Sequence, residues 1–490
     1  MKITFQKILI LICLTSSGFF VSYGQNKPAD LLKPDFHEGR REAVRAAMPE
    51  NSVAVFFANP IRNRSNDVDY LYHQDPDLYY LTGYKEPHAV LLIFKNNQTD
   101  ESGGQSYNEL FFVQEKNPMA EMWTGIRMGT EGVQQELQIQ NAYNGSAFKN
   151  YDIDFSQFDK VLFYDFKNDV RDNARDGADL YSLIEQFKSK VNYKNQSAGL
   201  NPEPQPNNID LSTLNQIMND LRGIKTPEEI DLIRKAVLIS SVGQVEVMKA
   251  MKPGLSETEI QGIHEFVFKK YGSEYEGYPS IVGAGHNGCI LHYQENAKPE
   301  IKSTEMVLMD LGAEYHGYTA DVTRTIPVDG KFSKEEKAIY DLVYKAQEDA
   351  IQQCKPGTTF AQLTALAKNI INQGLTDLGI INSRDDRHLY FPHGLSHHIG
   401  LDVHDKGNYN RLEAGMVITV EPGIYIPEGS DCDPKWWNIA VRIEDDILIT
   451  KDGFENLSAF APRTAEEIEK VMAQPSPLDN FILPDIKGKK

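Results

Sequence analysis

The stretch Val307–Thr325, VLMDLGAEYHGYTADVTRT, holds two carboxylates, Asp310 and Asp321, inside otherwise apolar, β-branched runs. The turn signal Tyr315-His316-Gly317 lies between the runs, so they predict a β-hairpin. The midpoint of 310 and 321 is 315.5, beside that turn. The two acids are therefore expected close together across the hairpin. Two carboxylates facing each other in a buried sheet repel and are poorly solvated. A cation or a shared proton must offset that. Taken alone, the pair reads better as one exposed turn Asp and one strand-edge Asp. The rest of the C-terminal half decides between these readings.

Working outward, the hairpin is the end of a unit that occurs twice. Thr226-Pro227-Glu228-Glu229 is a capping box with Pro at the first helical position, and its helix stops at Lys252-Pro253-Gly254. Ser256-Glu257-Thr258-Glu259 caps a second helix with Ile260, Ile263, Val267 and Tyr271 on one face. A strand-like CILHY with His292 follows, then the hairpin. The order repeats. Ser333 caps a helix that stops at Lys355-Pro356-Gly357, and Thr359 caps another. A His-bearing segment comes next, then the strands VITVEPGIYI and IAVRIEDDILI with Glu421 and Glu444. The offsets are similar: 355 − 252 = 103, 393 − 292 = 101 and 421 − 310 = 111. Two such copies are expected to pack about a pseudo-twofold axis, each bringing one acid pair to the centre.

Asp310, Asp321, His397, Glu421 and Glu444 then form a set of four carboxylates and one imidazole. Hard oxygen donors with one nitrogen suit Mn²⁺, with Zn²⁺ or Co²⁺ as alternatives. Four acids exceed what one divalent ion needs. Two ions about 3.5–4 Å apart, sharing an activated water, balance the charge better. Five of the twelve histidines lie in 388–404, namely His388, His393, His397, His398 and His404. One suffices as a ligand, which leaves His393 and His404 to hold substrate or a tetrahedral intermediate. Structural roles suit His388 and His398 better. Arg442 shares a strand face with Glu444 and can brace the acids. A purely structural ion pair is the competing reading for that arginine.

The whole chain sets wider bounds. Its 490 residues suffice for two or three domains with full cores. A net charge of −20 argues against a nucleic-acid surface. Lys2 and Lys7, the apolar Ile8–Val21 and the small residues of Ser22-Tyr23-Gly24 predict a signal peptide over 1–24. The mature protein is then exported, periplasmic or secreted, with no other run of membrane-spanning length. Cys289, Cys354 and Cys432 show no metal-like spacing. One bridge and three free thiols are equally compatible with them. Residues 28–50 look helical. VAVFF (53–57), LYYLTGY (78–84), AVLLIF (89–94), ELFFV (109–113) and KVLFYDF (160–166) read as strands, and 170–192 as helical. The prolines and asparagines of 197–210 mark a linker. These signals divide the chain into an α/β domain over 28–210 without chemistry of its own, a second domain over 222–473 and a flexible tail over 474–490.

GCILHY, MDLGAEYHGYTADVTRT, HGLSHHIGLDVHD, VEPGIY and VRIEDD, in this order, resemble an Xaa-Pro aminopeptidase. This is the aminopeptidase P branch of the pita-bread metallopeptidases. DLYYLTGYKEPHAVLLI and AEMWTGIRMG resemble that family's non-catalytic N-terminal domain. The resemblance implies an α/β N-terminal domain followed by an α+β pita-bread catalytic domain. It implies that Asp310, Asp321, His397, Glu421 and Glu444 bind two metals, usually Mn²⁺, with Asp321 and Glu444 bridging. Glu421 is implied to shuttle the proton of a metal-bridged hydroxide nucleophile. His292, His393 and His404 are implied to line the substrate pocket, with Arg442 and Tyr278 supporting it. Trp123 matches a tryptophan that reaches a neighbouring subunit, which implies a homo-oligomer, dimer or tetramer. His398 departs from the family, which often has an aromatic residue there. The implied substrates are peptides with proline second. The nearest enzyme alternative is a prolidase restricted to Xaa-Pro dipeptides. Ser396 in HGLSH and the AEMWTGIRMG run favour the aminopeptidase. A metal-free amidinohydrolase of the same fold and a binding module are disfavoured, because both would leave buried acids unused.

Overall fold

A computed structural model describes residues 28–99, 106–195, 204–481 and 483. The proposed signal segment and the basic end at Lys487–Lys490 lie outside the described residues. In the N-terminal half, α1 (Pro34–Ala47) leads into β1 (Ser52–Phe57), a small hairpin of β2 (Asn63–Ser65) and β3 (Val68–Asp69), and α2 (Pro76–Thr82). Then come β4 (Val90–Thr99), β5 (Ser106–Val113), α3 (Pro118–Thr124), α4 (Gly129–Glu136), β6 (Ala142–Asn144), β7 (Lys160–Leu162), α5 (Leu180–Lys190), β8 (Ile209–Asp210) and α6 (Thr213–Gly223). Six of these strands make one mixed sheet, ordered β6-β5-β4-β1-β7-β8.

Three readings of this half need correction. LYYLTGY is not a strand but α2 with its C-terminal cap. Asp75 accepts from the Leu78 amide, Pro76 opens the first turn, and Gly83 closes it in the left-handed region at φ 71°. Every residue from Asp77 to Thr82 is buried, so no helical periodicity was visible. KVLFYDF is extended only over Lys160–Leu162, because its neighbour β8 pairs with just Val161 and Leu162. The helix in 170–192 spans only Leu180–Lys190, capped by Asp179. The described end of the segment read as a linker supplies β8, the edge of the sheet.

In the C-terminal half, α7 (Pro227–Ala250) and α8 (Glu257–Lys270) precede β9 (Tyr275–Glu276), β10 (Ile281–Ala284), β11 (Met306–Asp310), β12 (Ala313–Tyr315), β13 (Tyr318–Thr319) and β14 (Thr323–Pro327). The second copy has α9 (Lys334–Ile351), α10 (Phe360–Asp377), β15 (Val417–Val420), β16 (Gly423–Ile426), β17 (Ile439–Arg442) and β18 (Asp445–Ile449). β19 (Phe454–Asn456) and α11 (Ala465–Met472) finish it. Thr226, Ser256, Ser333 and Thr359 each make both bonds of a capping box. Among the described residues no helix is long and apolar enough to cross a membrane. Cys289, Cys354 and Cys432 are free thiols.

Two details of the first copy differ from expectation. CILHY is not a strand. The extended segment lies upstream, at β10, and a tight turn over Gly285–Cys289 folds back on it. A Cβ on Gly283 would stand 2.8 Å from the Asn287 carbonyl carbon, so only glycine permits that approach. The hairpin register is also shifted. Tyr315 pairs with Tyr318 across a two-residue turn, His316 at φ 52° and Gly317 at φ 90°, and Asp310 pairs with Thr323. Two consecutive positive φ angles give the turn whose twist matches paired strands.

That turn is covered by the N-terminal half. The Tyr79 hydroxyl donates to the His316 carbonyl (2.9 Å), and the Tyr79 ring packs on Gly317, where a Cβ would come within 2.8 Å of it. His73 Nε2 lies 2.9 Å from a Glu314 carboxylate oxygen.

Candidate metal centre

Each long hairpin is broken halfway along both strands, and the acids sit at the breaks. Asp310 ends β11, and Asp321 lies between β13 and β14. Glu421 lies between β15 and β16, and Glu444 between β17 and β18. A break releases a side chain from strict alternation and frees its backbone from the ladder. This is how two residues eleven apart, out of register, still meet. Both Asp310 and Asp321 reach the Tyr278 hydroxyl at 2.5 Å.

His397 arrives on a segment laid beside β15. The Thr419 amide donates to its carbonyl (2.9 Å), and its own amide donates to the Thr419 hydroxyl (3.1 Å). Its Nδ1 stands 3.0 Å from the His398 carbonyl, which can only accept, so the proton sits on Nδ1. Nε2 then faces Asp321 Oδ2 and Glu421 Oε1, each 3.5 Å away. Ligand atoms of Asp321, His397 and Glu444 all lie within 4.8 Å of one another. Glu421 joins them through His397, and Asp310 through the Tyr278 hydroxyl it shares with Asp321.

The electrostatics express that conflict. Burial, then the neighbouring Asp310 and Asp446, push the Asp321 carboxyl well above its usual range. Burial, then Asp321 and Glu421, do the same to Glu444. Burial pushes Glu421 up to about 7 against the pull of His397 and Arg442. Asp310 alone of the four is held below its usual range. Burial raises it, but the Arg442 guanidinium it binds and the Tyr278 hydroxyl outweigh that. Tyr278 has one proton for two carboxylates, so its contact cannot satisfy both. Anionic oxygens and an imidazole lone pair converging on one point are the donor set of a hard divalent cation. The residues present fit such an ion.

The other candidate residues lie around this point. His404 meets His397 edge to face, ring centroids 4.3 Å apart. His292 is exposed and lies near His393 and His404, and burial, then the neighbouring His397, lowers His404. Burial, then Arg442, lowers His393 to about 4, so its ring is neutral at pH 7. Its Nε2 lies 2.8 Å from the Tyr425 hydroxyl and its Nδ1 2.8 Å from the Gly394 carbonyl. Arg442 binds Asp310 and donates to Tyr425 (2.8 Å). His388 contacts Asn372 and stacks on Tyr390, while His398 is buried against Phe360 and Tyr409. Trp123 is 86 % exposed at the end of α3, beside the exposed Met122.

Three residues at the centre escaped the sequence reading. The Thr323 hydroxyl donates to Glu444 (2.6 Å), Tyr425 links His393 to Arg442, and Asp446 accepts from the Asp321 amide (3.0 Å). Nearness to an acid was the available signal, since Thr323 follows Asp321 by two, Asp446 follows Glu444 by two and Tyr425 follows Glu421 by four.

Comparison with known proteins assigns the class first. Residues 231–451 match metallopeptidase family M24, and residues 37–157 match the aminopeptidase P N-terminal domain. The Xaa-Pro aminopeptidase of Escherichia coli is 35% identical over 457 residues, covering 91% of this chain and 98% of that protein. The Haemophilus influenzae Xaa-Pro aminopeptidase is 36% identical over 458 residues, with the same coverage. Among solved structures, a substituted E. coli aminopeptidase P in complex with substrate superposes with a TM-score of 0.78 at 32% identity, covering 90% of this chain and 98% of that one. Proline aminopeptidase P II from Yersinia pestis gives 0.78 at 33%, covering 90% and 100%. This chain belongs to the Xaa-Pro aminopeptidases of metallopeptidase family M24. Membership in a metallopeptidase family implies divalent metal ions, in keeping with the donor set described.

Proposed function

We propose that this chain hydrolyses the bond between an N-terminal residue and a following proline, using two divalent ions held by Asp310, Asp321, His397, Glu421 and Glu444. The observation that carries this is the gathering of the buried Asp310, Asp321 and Glu444 and the partly buried Glu421 about His397 Nε2, in a chain that matches Xaa-Pro aminopeptidases over 98% of their length. Likeness to proteins named Xaa-Pro aminopeptidase supports this reading over a prolidase. Four carboxylates and one imidazole favour Mn²⁺.

Bound divalent ions lower the pKa of a water and polarise the scissile carbonyl. The protein's own groups do the rest. Arg442 holds Asp310 and Tyr425, fixing one wall of the site. Tyr278 fixes Asp310 against Asp321. Glu421 stands between His397 and His393, placed to take a proton from the attacking water and return it to the prolyl nitrogen as the C–N bond breaks. His404 and His292 face the open side and orient the substrate carbonyl, with His393 beside them. Proline has no N–H on its imide nitrogen and a fixed φ, and the selection would come from a pocket shaped for its pyrrolidine ring. Peptidase sites that need a backbone donor bind it badly, whereas this centre asks for none.

The test is a panel of Xaa-Pro-Yaa, Xaa-Ala-Yaa and Xaa-Pro substrates with the Mn²⁺-loaded protein. The Xaa-Pro-Yaa peptides should be cut before proline and the alanine peptides left largely intact. Equal rates on the two series, or no cleavage of either, would reject the reading. Hydrolysis of dipeptides alone would favour the prolidase.

Two further readings rest on the sequence and on Trp123. The basic, apolar and small-residue order of residues 1–24 supports export with cleavage after Gly24. The exposed Trp123 and Met122 support a homo-oligomer. The purified exported protein should begin at Gln25 and sediment above monomer mass. An intact Met1 sinks the first reading and a monomer the second.

A further inference from the structure

Two glutamines that no motif singles out hold matching places in the two copies. Gln244 lies on α7 and Gln347 on α9, each eight residues before the Lys-Pro-Gly that ends its helix (252 − 244 = 8 and 355 − 347 = 8). Both are fully buried. Gln244 Nε2 donates to the carbonyls of Met309 (3.1 Å) and Val322 (2.7 Å). Met309 precedes Asp310, and Val322 follows Asp321. Gln347 Nε2 donates to the Val420 carbonyl (3.1 Å) and the Asp445 carboxylate (2.9 Å). Val420 precedes Glu421, and Asp445 follows Glu444.

The chemistry suits the place. A primary amide nitrogen carries two hydrogens and here faces two acceptors, one on each strand of a hairpin. The last ladder pairs before the breaks are Asp310 with Thr323 and Val420 with Asp445. Met309 lies one residue inside the first of these pairs and Val322 just beyond it, while Val420 and Asp445 are the second pair itself. Each carboxamide therefore bonds both strands of its hairpin where the ladder ends and two acids leave the sheet. The same device at the same helix position in both copies argues against incidental packing.

We propose that Gln244 and Gln347 are positioning residues for the metal centre, each clamping the mouth of one hairpin so that its two acids stand at ligand spacing. This rests on the reading of Asp310, Asp321, Glu421 and Glu444 as metal ligands. Losing such an outer support typically weakens metal binding about 10–100-fold.

The test titrates chelator-stripped full-length protein with MnCl₂ by calorimetry. Wild type is measured first. Absence of Mn²⁺ binding there overturns the metal reading itself, and this proposal with it. Gln244→Met and Gln347→Met keep length and bulk but donate nothing. Gln244→Glu and Gln347→Glu keep the shape but offer at most one hydrogen. Each variant should bind Mn²⁺ about 10–100-fold more weakly, with turnover recovering toward wild type at saturating Mn²⁺. A glutamine that merely filled the core would lower the thermal midpoint and leave Mn²⁺ affinity unchanged. Folded Met variants with wild-type Mn²⁺ affinity overturn the proposal. If the Met variants do not fold, the Glu variants decide by the same criterion. If none of the four folds, the glutamines build the core and the proposal fails.

Discussion

Asp321→Asn is expected to lose both metal ions and at least about 10³-fold in kcat/KM, since a divalent centre supplies several kcal/mol of transition-state stabilisation. The substitution keeps the side chain's shape. It removes an anionic oxygen from a carboxylate that touches Tyr278 with one oxygen and faces His397 with the other. No neighbour can take over, because the remaining acids are already committed. Asp310 is bound by Arg442, and Glu444 accepts from Thr323. The metal-free variant should be no less stable than metal-free wild type, since one of several mutually repelling buried charges is gone. Elemental analysis, peptide kinetics and thermal unfolding measure the three effects. Two bound metals with normal turnover would remove Asp321 from the ligand set.

His404→Ala should produce the opposite separation, with turnover down about 10²–10³-fold and metal content unchanged, since one transition-state donor is lost and no ligand is. Its ring stands edge to face with His397 on the open side of the centre. The loop that carries it does not depend on the imidazole for its position. The adjacent Asp405 is fully buried, bound by Arg222 and by Lys225 Nζ at 2.9 Å, and its amide donates to the His398 carbonyl (2.9 Å). The loop should therefore stay in place when the ring is cut away. Metal loss in parallel with activity would show that His404 supports an ion.

What was legible in the sequence was whatever leaves a local mark. Four capping boxes, each with its reciprocal bonds, gave the starts of the four long helices of the C-terminal half. Acids placed inside apolar runs gave the carboxylates of the centre, because burying them unpaired is too costly to be accidental. What escaped depends on partners distant in sequence. α2 shows no solvent-facing polar stripe because even its Asp77 and Thr82 are covered. The hairpin register turned on one choice of turn, with His316 accepting a positive φ that sequence alone does not announce. Thr323, Tyr425 and Asp446 carry no motif. Their roles exist only once the strand breaks bring four segments together.

The covering of the His316-Gly317 turn by Tyr79, with His73 reaching Glu314, bears on how the enzyme can be divided. The tip of the hairpin that supplies two of the acids is held from outside the metallopeptidase half. A fragment beginning at α7 would carry every acid and imidazole of the centre, yet leave that tip without Tyr79 on His316 and without His73 on Glu314. The N-terminal half thus holds the tip of a hairpin that carries two of the acids. Attempts to graft the metallopeptidase half onto another protein should take α2 along with it.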